Sequence, residues 1–286
     1  MPVQRDCPRN ETQSGITVVI LTMNEELNLV RCLDALHWAD EIVVVDSGSS
    51  DQTCAVASQL GARVMINRPA KFVISEQRNW ALDNAGISTP WVLFIDADEV
   101  VTHELAHRLC SVAQTPEDRY CAYRLAPKFI FMGKWLKHSL AFPVWHDRFL
   151  RLGHVRYVGD VWEYFKADSD VGYIREPYLH YGLSNGIRGW WQRHLRYSEW
   201  KAETLLSEQP LRSGGAKRLL HGLIEKYGAK SGPFSPGFRF FYYYFFRLGF
   251  LDGFPGFVYS LMIAGYQLMV YLFILEKRER MAGRSL

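Results

Sequence analysis

Three carboxylates crowd the end of one apolar run. In Trp91-Val-Leu-Phe-Ile-Asp-Ala-Asp-Glu-Val-Val101, the segment Val92 to Ile95 is cut off by Asp96, Asp98 and Glu99. Side chains two apart share an orientation on extended backbone, so Asp96 and Asp98 can face one ion together. Hard oxygen ligands so placed suit a Mg2+ or Mn2+ ion that also takes the phosphates of a nucleotide. The bland alternative is a solvated loop in which Asp98 caps a helix over 101–113. Other polar residues stand at equivalent places: Thr22, Asn24 and Glu25 follow one apolar run, and Asp46 ends another.

Those runs are the elements that must position the acids. Ile16-Thr-Val-Val-Ile-Leu21 predicts a strand, and Leu27, Val30, Leu33 and Leu36 predict a helix after it. Glu41 to Asp46 predicts a second strand, 54–60 a helix ended by Gly61, and 62–66 a third strand. A helix over 75–85 and a strand over 91–95 complete the series. Strands alternating with helices imply a doubly wound, largely parallel sheet with right-handed crossovers. Strand ends in such a sheet line one crevice, which brings residues distant in sequence together. Neither GxGxxG nor GxxxxGK[ST] occurs, which weighs against a dinucleotide Rossmann site and a P-loop.

The ordered set Thr22-Met-Asn-Glu-Glu, Val44-Val-Asp-Ser-Gly-Ser-Ser-Asp-Gln-Thr53, Gln77-Arg-Asn79 and Asp96-Ala-Asp-Glu99 resembles the inverting family-2 glycosyltransferases. The resemblance covers about 16–99. It implies the GT-A fold, a Rossmann-like, mostly parallel sheet flanked by helices. It also implies roles: Asp46 on the base of a UDP-sugar, with Thr22, Asn24 and Glu25 lining the same pocket. Arg78 would lie against the base or the diphosphate, Asp96 would face the ribose or the metal, and Asp98 would ligate the metal. Read without the family, Arg78 is a surface helix arginine and Asp46 a turn former. Asp147-Arg-Phe-Leu-Arg, Val161-Trp-Glu163 and Gly249-Phe-Leu-Asp-Gly253 resemble a bacterial subgroup that builds the inner core of lipopolysaccharide. That subgroup has a His directly before the acid where this chain has Trp162.

From 120 to 176 short aromatic and β-branched pieces (122–125, 148–152, 173–174) alternate with Gly and Pro, predicting antiparallel strands on the acceptor side. Asp147, His154, Asp160, Glu163 and His180 are the polar candidates there, and Trp135, Trp145 and Trp162 could stack on sugars. Glu163 is the expected catalytic base, with Asp160 its nearest rival, and His180 a candidate metal or phosphate ligand. Pairing of Glu163 with Arg148 or Arg156 is the purely structural alternative.

The chain has 286 residues, 14% of them aromatic, and a net charge of +3. From Ser184 onward 15 Lys and Arg face 7 Asp and Glu, so the basic excess lies there. Helices are expected over 187–208 and 216–230. The uncharged run 254–275, with Lys277, Arg278 and Arg280 after it, reads as lying in or crossing an anionic membrane surface. A lid or an oligomer interface is the third reading. Nucleic acid is not an expected partner, since no zinc-finger, RNA-recognition or basic-zipper signature occurs. Five dispersed cysteines suggest reduced thiols, and the polar first fifteen residues suggest a mobile tail without a signal peptide. The division expected is 1–15, a catalytic domain over 16–182, and a membrane-associating helical extension over 183–286. The activity expected is transfer of a hexose, glucose foremost, from a UDP-sugar to a hydroxyl of a glycolipid at the cytoplasmic face of the inner membrane. A polyprenyl-phosphate acceptor, or a scaffold that binds nucleotide sugar without catalysis, are the alternatives.

Overall fold

The computed structural model describes residues 13–115, 119–140, 142–159, 163–206 and 234–284. The chain forms two compact units, one of 1–128 with 142–184 and one of 129–141 with 185–286.

The first unit is built on a seven-stranded sheet. Its parallel half consists of β1 (Ile16–Thr22), β2 (Glu41–Asp46), β3 (Arg63–Ile66) and β4 (Trp91–Asp96). These are joined by α1 (Glu26–Asp34), α2 (Thr53–Gln59) and α3 (Ile74–Asn84). A two-residue β5 (Glu99–Val100) and α4 (His103–Ala113) follow. Beyond them come β6 (Ala122–Leu125), β7 (Pro127–Phe131), β8 (Lys134–Trp135), β9 (His146–Arg151), β10 (Val155–Val158), β11 (Tyr164–Ala167), β12 (Val171–Tyr173) and β13 (Tyr178–His180), of which β8 and the end of β7 belong to the second unit. The sheet order is β12-β6-β9-β4-β1-β2-β3. β9 runs antiparallel to both of its neighbours, and the remaining pairings are parallel. This is the mostly parallel, helix-flanked sheet expected of the GT-A type.

Alternation explains why the apolar runs are continuous. Val18, Ile20, Leu93 and Ile95 pack into one core, while Val19, Val92 and Phe94 pack into the other. A strand buried on both faces has no polar side to show. The apolar stripe of α1 differs from expectation. Leu33 and Leu36 are buried as expected, but Leu27 and Val30 are exposed, and Leu29 and Cys32 are buried in their place. Steps of three, one and three stay on one helix face, whereas repeated steps of three drift off it. The cap of α4 is Thr102, whose hydroxyl accepts from Leu105 N at 3.2 Å, so Asp98 is free of that task.

The second unit contains α5 (Gly186–Leu206), α6 (Ser235–Phe241), a π-helical turn Tyr242–Phe246, a 3-10 turn Gly249–Asp252 and α7 (Phe254–Met281). The helix expected over 216–230 lies outside the described residues, as do Asp160 and Trp162.

Candidate active site

The register of the sheet sets three polar residues level. Thr22 stands opposite Asp46 across β1 and β2, and Leu21 stands opposite Asp96 across β1 and β4. Asp46 is wholly buried. Its Oδ1 accepts from the backbone N–H of Gly48 at 2.8 Å and Ser49 at 2.7 Å, and its Oδ2 from the Thr22 hydroxyl at 2.9 Å. The Ser49 hydroxyl adds a fourth bond at 2.5 Å. Burial pushes this carboxyl up, but the bonds from Ser49, Gly48 and Thr22 outweigh it and hold it below the ordinary carboxylate range. Asp46 therefore organises the loop as an Asx-turn does. The adjoining loop is sewn to it: Asn24, at φ 58°, accepts from Ser50 N at 2.8 Å. Glu25 N donates to Thr53 Oγ1 at 2.8 Å, while the Glu25 carboxylate accepts from Asn28 at 2.7 Å.

Gln77, Arg78 and Asn79 split three duties. Gln77 donates to Ser47 Oγ at 3.1 Å and accepts from Asn67 at 2.7 Å, tying the β2 and β3 ends to α3. Asn79 exchanges both of its amide bonds with the Tyr157 backbone, at 2.8 and 3.0 Å, which docks β10 on α3. Arg78, between them, is 1% exposed and lies over the Phe94 and Tyr157 rings. It is no surface arginine. Its guanidinium meets Asp96 Oδ1 at 3.4 Å on one side and the Glu163 carboxylate on the other.

Asp96 is the centre of the cluster, and its main partner is Arg148. Because β9 runs antiparallel to β4, its first residues lie at the carboxyl end of β4. Arg148 thereby reaches both oxygens of Asp96, at 3.1 and 2.7 Å, and Glu99 Oε1 at 2.8 Å. Glu99 is fully buried and also accepts from Asp96 N at 2.8 Å. Burial raises the Asp96 carboxyl, but Arg148 and then Arg78 overcome it, so the group is held well below the ordinary range. For Glu99 burial prevails over Arg148, and neighbouring Asp96 adds to it, pushing the carboxyl up to about 7. Sequence reasoning noted Glu99 without assigning it and treated Arg148 only as a structural partner for Glu163. The available signal was an arginine inside a strand of buried Phe149 and Leu150, since a buried charge needs a partner.

Asp98 and His180 lie 82 positions apart and meet through the pairing of β5 with β13, which sets His180 opposite Glu99. Asp98 Oδ2 is 3.4 Å from His180 Nε2, with both side chains only partly exposed. Burial lowers the imidazole, but Asp98 foremost, then Glu99 and Asp96, reverse this and raise it. The pair fits a divalent ion. A carboxylate oxygen and an imidazole nitrogen are apt ligands, and adjacent positions of an octahedral ion lie about 3 Å apart. Asp96, held by two arginines, would have to share its oxygens with any metal. No group of three or more His, Cys, Asp or Glu fit to hold a metal occurs among the described residues, so further ligands must come from substrate or water.

Glu163 pairs with Arg78, not with Arg148 or Arg156. Burial pushes its carboxyl up against the pull of Arg78 and Arg148, and its Oε2 is buried without a hydrogen-bond partner among the described residues. The other acceptor-side candidates among the described residues make contacts of their own. Asp147 holds Arg124 Nε and Phe165 N, each at 2.5 Å, and is a framework residue. His154 faces Asp168 at the surface, Trp145 packs on Tyr173, and Trp135 belongs to the second unit.

A mostly parallel sheet flanked by helices, with polar residues gathered at its carboxyl edge, is the architecture of the GT-A type. Residues 17–160 match the model of Glycosyl transferase family 2, half of the chain, and the chain belongs to that family. It is 28% identical over 262 residues to the uncharacterized glycosyltransferase RT0209 of Rickettsia typhi, covering 87% of this chain and 82% of that one. It is 37% identical over 112 residues to the uncharacterized glycosyltransferase RC0292 of Rickettsia conorii, a match spanning 38% of either chain. The lipopolysaccharide core biosynthesis glycosyltransferase LpsC of Rhizobium meliloti is 30% identical over 124 residues, 41% of this chain and 44% of LpsC. Among solved structures, glucosyl-3-phosphoglycerate synthase of Mycobacterium tuberculosis is 29% identical over 40% of this chain and 44% of that one, with a TM-score of 0.34.

Proposed function

We propose that this chain transfers a hexosyl group, glucose foremost, from a UDP-sugar to a hydroxyl of a lipid-borne glycan such as lipopolysaccharide core, with inversion. The observation that carries this reading is the juxtaposition of the Asp98–His180 pair with Glu163 around one arginine-bridged cluster. The family membership supports glycosyl transfer, and the LpsC likeness supports the lipopolysaccharide acceptor. Asp98 and His180 would hold a Mg2+ or Mn2+ ion, which when bound supplies Lewis-acid neutralisation of the departing diphosphate. Thr22, Asn24, Glu25 and Asp46 shape the wall where the nucleotide would lie. Arg78 and Arg148 keep Asp96 ionised and fix its direction. Glu163, raised by burial and with one oxygen unpartnered, is poised to take the proton of the attacking hydroxyl. The membrane-facing localisation belongs to the same reading, because the acceptor is carried by lipid.

The ion pair of Glu163 with Arg78 favours a second reading. An acceptor that is already a phosphate anion, such as a polyprenyl phosphate, needs no base, and Glu163 would then serve only to hold Arg78. Purified enzyme incubated with a panel of nucleotide sugars, Mg2+ or Mn2+, and either lipopolysaccharide core or polyprenyl phosphate tests both. Transfer to the core hydroxyl is the expected result. Turnover on polyprenyl phosphate alone would select the second reading, and no turnover of any nucleotide sugar would discard both.

A further inference from the structure

Among its described residues the second unit carries twelve lysines and arginines against five aspartates and glutamates. It also holds α7, which among the described residues is the one helix long and apolar enough to cross a membrane. The packing of α7 argues against crossing. Trp191 of α5 lies over Gly265, where an added Cβ would meet the ring at 2.6 Å. His194 meets Tyr266 edge to face, Ala202 packs with Val270 and Ile274, and Glu203 pairs with Lys277 at 2.9 Å. The partners advance together in number, so α5 and α7 lie side by side in the same direction. Were 254–275 to span a bilayer, α5 would carry Arg193, Arg196 and Glu199 to hydrocarbon depth, where charges are strongly disfavoured.

The turn that precedes α7 offers a different contact. Phe246 is 80% exposed and Phe254 66%, and Phe241, Phe245, Phe250 and Leu251 are exposed with them. Three of these rings are linked through Tyr244: Phe241 stacks on Phe245, and Tyr244 touches both Phe245 and Phe250. No carboxylate faces outward here. Within 234–257 the only acid is Asp252, 2% exposed and engaged by the backbone N–H of Lys137, His138 and Ser139 and by the Ser139 hydroxyl. That clasp sets Lys134 and Lys137, both exposed, beside the turn, with Arg247 close by. An aromatic patch rimmed by cations and stripped of anions matches the boundary between anionic headgroups and acyl chains.

We infer that the patch 241–254 is a monotopic docking surface for an anionic lipid bilayer, and that α7 backs it without crossing. Aromatic side chains enter the headgroup–acyl boundary while Lys134, Lys137 and Arg247 meet lipid phosphates. The inference is independent of the proposed reaction, since vesicle binding requires no sugar donor or acceptor. The test floats the full chain with vesicles of phosphatidylcholine, with and without phosphatidylglycerol. The parent should bind only the anionic vesicles and be released by alkaline carbonate. Phe245→Ser/Phe246→Ser should bind about tenfold more weakly or worse, with unchanged thermal unfolding. Lys134→Gln/Lys137→Gln leaves the aromatic packing intact and should lose the preference for anionic vesicles. Retention of the parent after carbonate would establish a span and overturn the inference. Equal binding by parent and both double variants, or equal binding of neutral and anionic vesicles, would overturn it as well.

Discussion

Arg148→Met tests the cluster at its keystone. Arg148 is 4% exposed and bridges Asp96 and Glu99 through contacts of 2.7–3.1 Å. Removing one partner of a buried ion pair leaves carboxyls without compensation, a loss of about 3–5 kcal/mol. For a chain of this size that lowers the unfolding midpoint by about 10 °C. The pH dependence is more diagnostic. In the parent, Arg148 first and Arg78 second hold the Asp96 carboxyl low against burial, so its contribution is present above the ordinary carboxylate pKa and lost as pH falls. Without Arg148 both carboxyls move up. The folded state then prefers them protonated, and stability is lost as pH rises through the raised values. The deficit of Arg148→Met should therefore widen from about pH 5 to about pH 8. Urea unfolding of parent and variant at both pH values measures it. Arg148→Met/Glu99→Gln should regain part of the loss, because the second substitution removes one stranded charge. A deficit below about 1 kcal/mol, or one equal at both pH values, would refute the argument that Arg148 compensates these acids.

Other substitutions probe the remaining parts of the site. Asp98→Asn should reduce turnover on the order of a thousandfold while circular dichroism stays unchanged, and full activity of the parent in EDTA would eliminate the metal reading. Glu163→Gln should lower kcat about a hundredfold with little change in UDP-sugar affinity. Because burial raises the Glu163 carboxyl, the parent's rate should fall with decreasing pH earlier than an ordinary glutamate allows, and a profile flat down to about pH 5 would exclude Glu163 as the base. Asn79→Ala removes both amide bonds to the Tyr157 backbone and should cost about 1–3 kcal/mol in denaturant unfolding, and a neutral outcome would show that β10 is held by other contacts.

Much of the first unit was legible because its strands are buried on both faces. A run such as Val92 to Ile95 has to be apolar throughout, and the acid that ends it marks where the strand leaves the core. Thr22, Asp46 and Asp96 could be placed on one edge from sequence alone, because parallel strands joined by helices align their carboxyl ends. The short strands after 125 were harder, since pieces of two to six residues carry too little periodicity to separate from turns. The π-helical turn at 242–246 had no signal in an unbroken aromatic run.

What only the tertiary structure decided is who neutralises whom. Asp-Ala-Asp announces a cation site, but the pattern is silent on whether protein or metal supplies the charge. The antiparallel course of β9 brings Arg148 to Asp96, and the pairing of β5 with β13 brings His180 to Asp98. Neither follows from local spacing, because both depend on which strand lies beside which. The same is true of α7. Its composition reads as lying in or crossing a membrane, and its side-by-side packing with the charged helix α5 supports the first of these, since a span would bury charge. Local sequence determines which residues leave water, and the partners that make a buried charge tolerable are chosen by topology.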